Sequence, residues 1–169
     1  MRYAALLRGV SPMNLKMPDL KRALESAGFE NVKTVLSSGN VLFDGPAKPD
    51  AAIEKLVESA LEAHVARAFP TIVRRVEVLK ALIEEDPFAS LKVGKGAKRV
   101  VTFLKRPAST TPKLPVRLDN ATLHALRGVE AFTSYVPEPG NPIFMTLIEK
   151  TLGKDVTTRT WDTVLKLAR

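Results

Sequence analysis

The stretch Val32 to Phe43, VKTVLSSGNVLF, narrows the choice of fold more than any other part of the chain. Two β-prone runs flank Ser37-Ser38-Gly39-Asn40. Gly-Asn between alternating apolar residues signals a two-residue hairpin, because both residues tolerate the positive φ that primed turns require. A turn centred on Gly39 and Asn40 sets Leu36 opposite Phe43 and Ser38 opposite Val41. A slip of one residue would send Leu36 and Phe43 to the other face, so the pattern specifies its register.

Around this hairpin the order of elements can be read in sequence. Arg2 to Arg8 (RYAALLR) is apolar on both faces near its middle, as a central strand should be, and it ends at Gly9. The loop from Val10 to Met17 leads to Pro18, placed where a first helical turn has no use for an N–H. Leu20, Ala23, Leu24 and Ala27 then follow helical spacing, and Gly28 can end that helix in a left-handed conformation. After the hairpin, Asp50 can cap a second helix whose stripe runs through Ile53, Leu56, Val57, Ala60, Leu61, His64, Val65 and Ala68. His64 reads as a packed histidine at the core edge. Thr71 to Val76 is a short strand. The order βαββαβ is the ferredoxin-like arrangement.

The chain continues with a helix at Glu77 to Glu85 and strands at Arg99 to Lys105, Thr122 to Leu126 and Ala131 to Val136. A helix over Ile143 to Leu152 closes at Gly153, and Thr157 or Thr158 can cap a last helix carrying Trp161, Val164, Leu165 and Ala168 on one face. The expected fold class is therefore α+β, a ferredoxin-like half over 1–77 followed by a second α+β half over 78–169.

Charge is unevenly placed along this frame. Lys92, Lys95, Lys98, Arg99, Lys105, Arg106, Lys113 and Arg117 fall between Pro87 and Leu118 with no Asp or Glu among them. Without these eight, the chain's 26 basic residues fall to 18, matching its 18 acidic ones. A patch of that kind attracts polyanions in a salt-dependent way, and nucleic acid is one possible partner; a purely solubilising surface is the other reading. The chain has no cysteine and two histidines, so disulfides, thiolate chemistry and a His-rich metal site are not expected. No run is long and apolar enough for a membrane span, and the start lacks a signal-like pattern, so the expected location is the cytoplasm.

In a ferredoxin-like sheet the first strand lies beside the third and antiparallel to it, and the first helix begins just beyond the first strand. Arg8, the loop with Asn14 and Lys16, and the turn with Ser37, Ser38 and Asn40 should then share one rim. A helix start with a nearby Arg, a Lys and two hydroxyls suits an anionic or phosphate-bearing ligand, bound without a cofactor. The structural alternative is that Asp19 neutralises the helix start, Asn40 forms the turn and Arg8 pairs with a carboxylate. Catalytic templates fit poorly: there is no GxSxG, HExxH or GxGxxG, and the Gly-Lys loop at Lys92 to Lys98 lacks phosphate-loop spacing. An enzyme acting on a phosphorylated small molecule stays open. It would require a carboxylate or histidine in reach of Ser37 or Ser38.

Several stretches together resemble the DUF1697 family of bacterial proteins. They are Ala5-Leu6-Leu7-Arg8-Gly9-Val10, Lys16-Met17-Pro18-Asp19-Leu20, Leu36-Ser37-Ser38-Gly39-Asn40-Val41-Leu42-Phe43, Asp86-Pro87-Phe88, and Thr157-Thr158-Arg159-Thr160-Trp161-Asp162-Thr163-Val164. Where many members carry a Gly-rich, Asn-containing loop after LLRG, this chain has Ser11-Pro12-Met13-Asn14, and Thr160 stands in place of an Asn. The resemblance implies an α+β fold with a ferredoxin-like half and names no activity. It also points to Trp161 as a core ring and to Arg159, expected just inside a helix start and paired with a carboxylate or a ligand.

Overall fold

The computed structural model describes residues 1–169 as nine strands and five helices in two antiparallel sheets. It divides into two compact units, Met1–Ala81 with Lys166–Arg169, and Leu82–Leu165.

The first unit contains β1 (Arg2–Leu7), α1 (Met17–Ser26), β2 (Glu30–Val35), β3 (Asn40–Asp44), α2 (Asp50–Val65) and β4 (Thr71–Arg75). Its sheet order is β2-β3-β1-β4, every neighbour antiparallel, which fits the ferredoxin-like arrangement. One face of the sheet, carrying Tyr3, Ala5, Leu7, Val41, Phe43 and Val73, packs with Leu20, Leu24, Ile53, Val57 and Leu61 of the two helices. Phe43 centres it, with ring centroids 5.8 Å from Tyr3 and 4.6 Å from Phe29. Burying one such ring contributes about 1.5–3 kcal/mol. Ala4 and Leu6, on the opposite face of β1, are also buried, as a strand apolar on both faces requires.

The hairpin register differs from the expected one. Val35 pairs with Asn40 and Thr34 with Val41, so the connection is the four residues Leu36 to Gly39, and Leu36 is not opposite Phe43. Asn40 explains the shift. It is fully buried as a strand residue, and its Nδ2 donates to the Val35 carbonyl at 3.1 Å and to Ser38 Oγ at 2.9 Å. Leu36 takes the left-handed conformation instead, at φ 59°, and stands 48% exposed.

In α2 the apolar stripe is Ile53, Val57 and Leu61, joined by a buried carboxylate, Glu54. Glu54 Oε1 accepts from the Val73 N–H at 3.2 Å, and Glu58 Oε1 from the Thr71 N–H at 3.0 Å. Four residues of helix advance about 6 Å and two of strand about 6.8 Å, so the spacings match. Leu56 and His64, expected on the stripe, are exposed; His64 lines a shallow groove with Ala23, Ser26, Ala27, Ala60 and Ala63. Asp50 is the first helical residue and does not cap the helix.

After α3 (Val76–Glu85), the second unit's sheet comprises β5 (Lys98–Leu104), β6 (Val116–Leu118), β7 (Ala121–Arg127), β8 (Glu130–Tyr135) and β9 (Val156–Thr160), in the order β6-β7-β8-β5-β9. One face packs on α4 (Ile143–Leu152) through Leu104, Ala121, Leu123, Ala131, Leu147, Ile148 and Val156. On the other face Phe88 meets Phe132 and Trp161 edge-on, with centroids 5.7 and 5.3 Å apart.

Two strands here were not expected. β6 has only three residues and follows a proline-rich connection. β9 occupies the segment assigned to a helix cap, with Thr158 opposite Thr102 and Arg159 opposite Val101. Branched Thr side chains favour the extended form, and Thr160 is the residue that caps α5 (Trp161–Leu167), its Oγ1 accepting from the Thr163 N–H at 3.3 Å.

Candidate functional site

The rim at the end of β1 is built from backbone contacts. The Leu7 N–H donates to the Gly39 carbonyl at 2.9 Å, and the Arg8 N–H to the Pro70 carbonyl at 2.9 Å. Gly39 sits at φ 86°, and a β-carbon there would lie 2.8 Å from Val10 Cγ2 and 3.1 Å from Leu7 Cβ. Only glycine allows this approach. It presses the loop after β1 against the β2–β3 turn, so Arg8, that loop and the turn meet at one end of the sheet.

Within this rim the side chains divide by what they contact. Asn14 closes its own loop, Nδ2 donating to the Gly9 carbonyl at 2.7 Å while Oδ1 accepts from the Ser11 N–H at 2.8 Å. Asn40 is spent inside the hairpin in the same manner. Lys16 is the residue before α1, and its carbonyl takes the Asp19 and Leu20 N–H groups while its side chain is exposed. Asp19 is itself paired with Arg22 at 2.5 Å. Arg8 is half-buried, and Ser37 and Ser38 are exposed. Ser38 Oγ meets the Asn40 amide. Neither serine hydrogen-bonds a histidine or a carboxylate.

Arg159 belongs to the second unit and lies on β9, not inside a helix start. It is 9% exposed; Nη1 donates to Thr157 Oγ1 at 2.6 Å and to the Thr158 carbonyl at 2.8 Å. Burial pushes its pKa down to about 10, which still leaves it charged at neutral pH.

The basic segment does not form one patch. Lys92, Lys95, Lys98 and Arg99 lie before or at the start of β5, whereas Lys105 and Arg106 follow its far end. Seven strand residues separate the two groups by about 23 Å. Beside Lys98 and Arg99 opens a cleft of about 410 Å³ lined by Ala97, Lys98, Arg99, Thr160, Trp161 and Asp162. Sequence reasoning had Lys98 and Arg99 in the basic run and Thr160 to Asp162 in the motif near the end. Only the pairing of β5 with β9 joins them, and no local signal announces it. The cleft combines two cations, a hydroxyl and one carboxylate, a composition suited to binding. No three His, Asp or Glu side chains converge to hold a metal ion. No helix is long and apolar enough to cross a membrane.

A family model described as "Protein of unknown function (DUF1697)" matches residues 1–125. Among solved structures, the chain is similar to the conserved bacterial protein SP0830 from Streptococcus pneumoniae, at 19% identity, a TM-score of 0.70, and coverage of 99% of this chain and 96% of that one. At that identity the likeness is one of fold. No curated protein matches the chain.

Proposed function

We propose that this chain, which belongs to the DUF1697 family, is a cofactor-free binding protein for an anionic or phosphate-bearing ligand held at the rim beyond β1. The observation that carries the reading is the junction of Leu7, Val10 and Gly39, which fixes the loop after β1 against the serine turn. Lys16, Ser37 and Ser38 present a cation and two hydroxyls there, and Arg8 adds a second cation. Asn14 and Asn40 act indirectly, by holding the loop and the turn rigid. Rigid donors lose little freedom on binding, which favours affinity.

Inorganic phosphate titrated against the full chain tests this by amide chemical shifts. Arg8, Asn14, Lys16, Ser37, Ser38 and Asn40 should move along one saturating curve, and Lys16→Ala should weaken it about tenfold, the worth of one charge-assisted hydrogen bond. Unmoved amides at these positions would refute the reading.

A second reading is polyanion binding through Lys92, Lys95, Lys98 and Arg99, supported by the lack of any acidic residue in that stretch. Its affinity for single-stranded RNA or DNA would fall steeply with salt. Absence of retardation at low salt would dismiss it.

A further inference from the structure

We infer that the second unit carries its own anion site, sized for one phosphoryl group and built from Arg99, Arg117, His124 and Ser134 on the sheet face opposite α4. It is independent of the rim in the first unit. The site follows from register. Arg117 on β6 pairs with Thr122 on β7, Thr122 with Ser134 on β8, and Ser134 with Arg99 on β5. Residues directly opposite in antiparallel strands hold their Cβ atoms about 5 Å apart, so these four form one row across four strands. Ser134 lies two residues beyond Phe132, whose ring meets Phe88, so the row is on the face away from α4.

His124 joins the row because β7 bulges. Leu123 pairs with Thr133 and Ala125 with Phe132, which leaves His124 as the extra residue. A bulge re-aims a side chain, and here His124 Nε2 comes 2.7 Å from Ser134 Oγ. Ser134 is buried and His124 half-buried, so this pair forms a floor. The arginines at either side are exposed, and neither is ion-paired; the Arg99 guanidinium lies over the Phe88 ring at 5.9 Å.

The row's dimensions favour a single compact anion. Three strand spacings separate Arg117 from Arg99, about 14 Å. Turned toward Ser134 from either side, the two arginine side chains would close most of that gap, leaving room for one phosphoryl group and not for a polymer backbone; Arg99 would swing there from its place over Phe88. Guanidinium forks match phosphate oxygens in pairs, and the imidazole and hydroxyl supply donors beneath. Burial, with Arg117 in addition, disfavours the imidazolium, and a bound dianion would reverse that preference.

The experiment is a titration of the full-length chain with inorganic phosphate, following the His124 ring and Ser134 amide signals, with sodium chloride at matched ionic strength as the control. The inference expects both signals to saturate with phosphate alone and the His124 pKa to rise in its presence. Arg99→Gln and Arg117→Gln should each weaken that curve about tenfold. Lys16→Ala should leave it unchanged, which separates it from the rim. Signals that do not move, that move equally with chloride, or that move equally in the arginine variants would overturn it. So would stronger dependence on Lys92→Ala and Lys95→Ala than on the arginines, because that is the signature of a diffuse polyanion surface. Both arginines are exposed, so the variants are expected to fold, and circular dichroism checks this.

Discussion

The β2–β3 turn and the polar row across β6, β7, β8 and β5 each collect hydrogen-bonding side chains on a sheet, and they use them differently. In the turn, Asn40 and Ser38 bond within the hairpin, and nearby Asn14 does the same for its loop. The two asparagine amides are spent in holding a backbone shape, while Ser38 only accepts, which leaves its O–H to donate. In the row, neither Arg99 nor Arg117 is ion-paired, Arg99 touches the fold through the Phe88 ring, and His124 and Ser134 bond each other. A polar cluster contiguous in sequence can thus be mainly conformational, while one assembled from four strands keeps its charges available.

That contrast can be tested by stability measurements in urea. The largest loss should come from Trp161→Ala, about 3–5 kcal/mol, because the ring packs edge-on to Phe88 at 5% exposure. A loss well below that would mean that the aromatic layer does not dominate the second unit. Gly39→Ala should cost about 2–4 kcal/mol, from the left-handed φ and from crowding against Val10. Asn40→Ala should cost about 1–3 kcal/mol, since it removes the buried amide that donates to the half-buried Val35 carbonyl. The comparison breaks if Arg99→Gln or Arg117→Gln costs as much; both should stay within about 0.5 kcal/mol.

The smallest effect sharpens the comparison through pH. The folded His124 pKa lies below its usual value, first through burial and then through Arg117. The unfolded chain therefore binds its proton more readily, so stability is complete above about pH 6.5 and declines as pH falls below it. Arg117→Gln should move the His124 pKa upward and flatten that decline, measured by NMR titration and by unfolding at several pH values. No change in either would place Arg117 away from the row.

The first unit was legible because its elements alternate in a simple order and its apolar periodicities are clear, from RYAALL through Leu20, Ala23 and Leu24. The hairpin register was not, because Gly39-Asn40 matches a local turn pattern while burial of Asn40 decides the pairing. Glu54 also escaped notice, since a carboxylate on a helix reads as solvated until an outward-facing strand N–H is found beside it. In the second unit, Thr157 to Thr160 satisfies both a cap pattern and a strand, and long-range pairing with β5 settles the choice. The bulge that delivers His124 leaves no local trace at all.

Glu54 and Glu58 of α2 have a further consequence for how this protein meets others. By occupying the outward N–H groups of Thr71 and Val73, Glu58 and Glu54 shut one border of the four-stranded sheet to strand addition by another chain. The opposite border is interrupted by the irregularity between Glu30 and Lys33, where Asn31 turns left-handed. Neither side offers a flat template, so this sheet is guarded against edge-to-edge aggregation by two unrelated devices.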